Sequence, residues 1–160
     1  MTHSTDTQVR RLAAPFILAL ALIFPASTAS AAEPSQTSSE ANAMRIRLTI
    51  NGQSTTATLE DNPTARDFLS ILPLTLTLED YASTEKIAYP PRKLSTQGAP
   101  AGIAPEVGDI TYYAPWGNPA LFYKDFGYSA GLIRLGRFDA GVEAISASGK
   151  MMITIEAIRF

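Results

Sequence analysis

Five aromatic side chains and one amide have the types and spacing of a recognition surface: Tyr112, Tyr113, Trp116, Phe122 and Tyr128, with Asn118 as polar anchor. A mostly apolar pocket with a few convergent polar groups is the usual form of a ligand site. The occupant expected from this set is a peptide or a small apolar ligand. The same residues allow a second reading, in which the tyrosines and Phe122 fill a core and Trp116 packs on a neighbouring loop. Phe122 fits the core better, while Trp116, at a loop tip, fits both readings.

Bond-making chemistry has few candidates. The only histidine is His3, and there is no cysteine. With His3 lost on processing, a Ser-His-Asp triad, a thiol nucleophile, a redox pair and an ordinary zinc site are all excluded. No residue is nominated as catalytic, and no metal or cofactor is expected.

The first 31 residues read as an export signal. Arg10-Arg11 is a basic start, Leu12–Phe24 is an apolar run of 13 residues, and Ala29-Ser30-Ala31 is a small-x-small cleavage pattern. That run falls short of the roughly 20 residues a bilayer needs, so the expected address is the periplasm or the exterior, with no membrane attachment after cleavage. Residues 32–43, rich in Ser, Pro and Ala, read as a disordered linker. Removing residues 1–31 takes two of 13 basic and one of 15 acidic residues, leaving a net charge of −3. That balance gives no support to a nucleic-acid partner. Oligomeric state is not legible.

The elements that must hold the aromatic set follow from periodicity. Met44–Ile50 alternates apolar and polar residues, and Asn51-Gly52 is a hairpin signal before a returning strand at Gln53–Leu59. Asn62-Pro63 reads as an N-cap with proline at the first helical position, opening a short amphipathic helix that Pro73 ends. Leu74, Leu76 and Leu78 alternate with threonines in a third strand, and Glu85–Tyr89 is a short fourth. Glu85 and Lys86 read as a solvated ion pair. Pro90–Val107, with four prolines, is a long loop that forms a rim or wraps the domain. Asp109–Ala114 and Ala120–Tyr123 are strands joined through Pro115–Pro119. Leu132–Phe138 is a further strand, Gly141–Ile145 a helical turn and Met151–Ile158 the last strand. About eight short strands with one or two helical segments close most economically into a barrel, which removes exposed edges.

Four pieces of residues 44–160 occur in the order of a known family. They are Asn62-Pro63-Thr64-Ala65 leading to Leu72-Pro73, Glu85-Lys86-Ile87 with Tyr89-Pro90, Gly108-Asp109-Ile110-x-Tyr112-Tyr113 with Pro115-Trp116-Gly117-Asn118, and Leu135-Gly136-Arg137-Phe138 with Gly141-Val142-Glu143. Together they resemble the bacterial cyclophilin-like domain family. The resemblance implies a mainly β fold: a closed eight-stranded cyclophilin-like barrel with one or two short capping helices. True cyclophilins, which are peptidyl-prolyl isomerases, share that barrel more distantly. Leu135–Gly141 is similar to their Phe-Gly-Lys-Val-x-x-Gly segment, which brings Arg137 into the candidate binding set. Their Phe-His-Arg and Phe-x-x-Gln-Gly-Gly-Asp motifs have no counterpart. An isomerase would need a cation beside the prolyl nitrogen, from Arg92, Arg134, Arg137 or Lys86. The function expected is ligand binding in an aromatic groove. Prolyl isomerisation is the alternative, and a structural role in the cell envelope a further one.

Overall fold

The computed structural model describes residues 44–159; the expected export signal and linker lie outside the described residues. Ten strands follow in order, β1 (Arg45–Ile50), β2 (Gln53–Leu59), β3 (Leu74–Tyr81), β4 (Glu85–Ile87), β5 (Gly102–Ile103), β6 (Asp109–Tyr113), β7 (Asn118–Phe122), β8 (Ser129–Ala130), β9 (Leu132–Phe138) and β10 (Met151–Ile158). One α-helix, α1 (Pro63–Ser70), lies between β2 and β3, and a 3-10 turn at Val142–Ile145 precedes β10. Eight strands close a barrel in the order β1-β10-β3-β4-β7-β6-β9-β2, and β5 pairs with β8 in a separate small sheet. All pairings are antiparallel.

Local chemistry accounts for the frame. In β1 the alternating Ile46, Leu48 and Ile50 are buried, and β10 sets Ile153 opposite Ile50 and Ile155 opposite Leu48. Asn51 and Gly52 both take positive φ, 48° and 84°, the condition for a type I′ turn. Asn62 caps α1 by accepting from the Ala65 amide at 2.8 Å, while its Nδ2 donates to the Arg134 carbonyl at 2.8 Å. The cap thereby ties the helix to β9. Phe68, fully buried, drives the helix's apolar face into the core.

The long loop 90–107 wraps the barrel. Arg92 donates both Nη groups to Asp67 of α1, at 2.7 and 2.9 Å, and the Ser95 amide adds a third bond at 2.7 Å. Those donors, Arg92 first, hold the Asp67 carboxyl down at about 2. Its two-residue strand β5 was expected as plain loop, as was β8.

Two further boundaries differ from expectation. The fourth strand stops at Ile87 rather than Tyr89, and β7 starts at Asn118, so Pro119 lies inside a strand. The tip between β6 and β7 shrinks to Ala114–Gly117 accordingly.

A register shift after Ile110 leaves Leu135 without a partner, as Ile110 faces Gly136 and Thr111 faces Arg134. Such a bulge reverses side-chain parity along one strand. Arg134 and Arg137, an odd number of residues apart, consequently reach the same carboxylate, Asp109. At Gly136 a Cβ would lie 2.3 Å from the Thr58 carbonyl oxygen, so only glycine fits this crossing of β9 and β2.

Candidate binding site

Registers sort the central strands into two faces. Glu85 and Ile87 of β4 lie beside Phe122 and Ala120 of β7, whereas Lys86 lies beside Leu121. Tyr113 pairs with Asn118 and Leu132, while Tyr112 pairs with Pro119 and Ile133. Since neighbours on a strand point to opposite faces, Lys86, Leu121, Ile110 and Tyr112 turn inward. Glu85, Ile87, Asn118, Ala120, Phe122, Tyr113 and Leu132 turn outward. Ile103 of β5 packs against the outward cluster of Ala120, Phe122 and Leu132. Both faces of β6 and β7 are therefore covered, and β7 is buried throughout.

A cavity of about 200 Å³ remains on this outer face. Its floor is the outward set from β4, β7, β6 and β9. Tyr81, Ala82, Trp116, Phe126 and Ser129 complete its lining. Trp116 meets two tyrosines edge-on, Tyr81 at 5.4 Å between ring centroids and Tyr113 at 5.3 Å, with interplanar angles of 85° and 83°. Trp116 is 48% exposed and Phe126 50%, so the aromatic walls open to solvent. Ala82 and Ser83 both hold positive φ (50° and 56°), as the central residues of a tight hairpin turn closed by the Thr84 amide donating to the Tyr81 carbonyl at 3.1 Å.

Two polar groups of the cavity carry its chemistry. Asn118 is 1% exposed; its Nδ2 donates to the Pro119 carbonyl at 3.1 Å, and its Oδ1 has no hydrogen-bond partner in the protein. A buried acceptor left unpaired is costly and calls for an explanation. Glu85 makes no ion pair or side-chain hydrogen bond among the described residues, and burial pushes its carboxyl up from 4.5 to about 7. A carboxyl whose folded-state pKa is raised contributes stability that is complete below about pH 4.5 and is lost as pH climbs through about 7. With Glu85 only partly buried, solvent screening reduces the effect to about 1 kcal/mol. Glu85→Gln is accordingly expected to stabilise the domain by about that amount at pH 8 and to be neutral at pH 4. Urea titrations at the two pH values check this, and equal differences at both would contradict it.

The structure brings together four of the seven sequence-derived site residues: Tyr113, Trp116, Asn118 and Phe122 all line the cavity. Tyr112 does not. It lies in the barrel core, 1% exposed, with its hydroxyl accepting from the Leu94 amide at 2.9 Å and so pinning the long loop. Tyr128 stands 64% exposed outside the cavity. Arg137 is also elsewhere, paired with Glu106 at 2.7 Å and Asp109 at 3.3 Å. The solvated Glu85–Lys86 pair is corrected as well: Lys86 is fully buried and bonds instead to Asp80 at 2.7 Å and to the carbonyls of Ala147 and Gly149. Tyr81, Glu85 and Phe126 were missed by sequence reasoning. Among the described residues no cluster of acidic or histidine side chains is placed to hold a metal.

The model of the cyclophilin-like family matches residues 48–156, from within β1 to within β10, and includes the whole cavity floor. The chain belongs to that family. A solved structure similar to this cyclophilin-like barrel is the solution structure of a hypothetical protein from Archaeoglobus fulgidus, at 19% identity and a TM-score of 0.52. The match covers 72% of this chain and 95% of that one, and it is a likeness of fold. No curated protein matches the chain.

Proposed function

We propose that this is an exported cyclophilin-like domain that binds a peptide segment or small apolar ligand in the cavity outside β4, β7, β6 and β9. The observation that carries the reading is the buried, unpaired Asn118 Oδ1 in an aromatic-lined cavity. An incoming N–H or O–H would satisfy that acceptor while apolar groups cover Trp116, Tyr113 and Phe126. Export is supported by the basic start, short apolar run and Ala29-Ser30-Ala31 of the first 31 residues.

The cations an isomerase would require are engaged elsewhere: Arg92 with Asp67, Arg134 with Asp109, Arg137 with Glu106, and Lys86 inside the barrel. The purified domain is therefore expected to leave cis–trans exchange of a Xaa-Pro test peptide at its uncatalysed rate. That rate is slow, on the order of tens of seconds or longer at 25 °C, so weak catalysis would be visible. Trp116, the only tryptophan, supplies the binding readout. Titration with a panel of short apolar peptides is expected to shift its fluorescence, with Trp116→Ala weakening binding measured by calorimetry. Tight binding that leaves both the fluorescence and the Trp116→Ala affinity unchanged would place the ligand elsewhere.

A further inference from the structure

The cavity contains one carboxylate and no cationic partner for it. Glu85 enters from β4, and no Lys or Arg side chain lines the space. The basic residue beside it in sequence, Lys86, faces the other way, into the barrel. The aromatic rings of Tyr81, Tyr113 and Trp116 border the same space as Glu85, with Trp116 packed edge-to-face against both tyrosines. Exposed aromatic surface in the same cavity as an unpaired acidic side chain suits one class of ligand group. Aromatic π-systems attract a cation over their faces, and desolvation strengthens that attraction.

We infer that the cavity takes an organic cation, a quaternary or alkylated ammonium group held against the exposed aromatic surface of the Tyr81–Trp116–Tyr113 stack with Glu85 as counter-ion. The inference rests on the binding reading and narrows its ligand class: an apolar body for the rings, with a positive head for Glu85. Asn118 is left to accept from a hydroxyl or amide of the same ligand.

The environment of Glu85 makes binding pH-dependent. The titratable groups near it are Tyr81 on β3, Tyr113 on β6 and Tyr123 just after β7, whose phenol is pushed up mainly by burial and further by Asp80 and Glu85. Asp80 on β3 is already committed to Lys86 and to the Gly149 amide. Glu85, with burial holding its carboxyl near 7, changes charge across neutral pH. A bound cation favours the ionised carboxylate, so affinity for it rises with pH across that range.

Choline and its uncharged isostere 3,3-dimethylbutan-1-ol test this directly, with Trp116 fluorescence as readout and calorimetry as the second measurement. Choline is expected to bind the wild-type protein roughly tenfold or more tightly than the isostere. Its affinity should rise between pH 5.5 and 8, while that of the isostere stays flat. Glu85→Gln, checked for folding by its melting curve, should shrink the preference to what the rings alone supply and abolish the pH dependence. Equal binding of the two compounds by the wild-type protein would overturn the inference and leave the apolar-ligand reading standing. Silence toward choline while an apolar peptide still shifts Trp116 would do the same. Silence toward choline and the whole peptide panel would remove both.

Discussion

Lys86→Ala is expected to lower the unfolding free energy by about 4 kcal/mol. Lys86 is 0% exposed, and its ammonium donates to the carbonyls of Ala147 and Gly149 at 2.7 and 2.8 Å while pairing with Asp80. The substitution removes three buried methylenes at about 0.8 kcal/mol each, opens a cavity and takes away two charge-assisted bonds. Asp80 adds little to the loss, because a carboxylate at the surface is rehydrated once its partner has gone. Lys86→Met, which keeps most of the stem, is expected to cost about 2 kcal/mol, so the gap between the variants isolates the packing contribution. Urea midpoints at pH 7 decide it. A Lys86→Ala midpoint indistinguishable from wild type would contradict the buried placement.

Arg134→Met is expected to cost about 3 kcal/mol. Its guanidinium holds Asp109 Oδ2 through Nε at 2.9 Å and Nη2 at 2.8 Å, and Asp109 is fully buried. Without Arg134 the carboxylate keeps the Glu106 amide at 2.9 Å and Arg137 at 3.3 Å. A buried charge stripped of its main partner is far more damaging than loss of an exposed pair. The double variant Arg134→Met with Asp109→Leu should recover much of the loss, since an apolar pair leaves no stranded charge. Equal instability of the single and double variants would show that the bulge geometry of β9, not the charge, sets the cost.

The barrel was legible because its first strand alternates cleanly. Ile46, Leu48 and Ile50 against polar neighbours, and Asn51-Gly52 after them, specify both face and turn. β6 and β7 were legible as strands and illegible as faces. Each is covered on both sides, so even where Asp109 and Thr111 alternate with Ile110 and Tyr112 both sets are buried, and the alternation marks no solvent face. Hence Tyr112 and Tyr113 were grouped together, although adjacent strand residues point apart. The same rule shows why Glu85 and Lys86 could not form a solvated pair within β4: one had to turn inward. Pairing Glu85 with Ile87, two residues on, would have placed it on the aromatic face. Tyr81 and Phe126 had no local signal, because they reach the cavity from β3 and a loop that only the closed barrel brings near.

The cavity's role is tested most directly by chemical-shift mapping of the isotope-labelled domain, titrated with whichever compound perturbs Trp116. The expected result is one cluster of shifts at Tyr81, Glu85, Tyr113, Trp116, Asn118 and Phe126, with Tyr112 and the Glu106–Arg137 pair little affected. Shifts centred instead on Arg137 and Glu106, or on the surface between α1 and the chain end near Arg159, with the aromatic cavity silent, would contradict it.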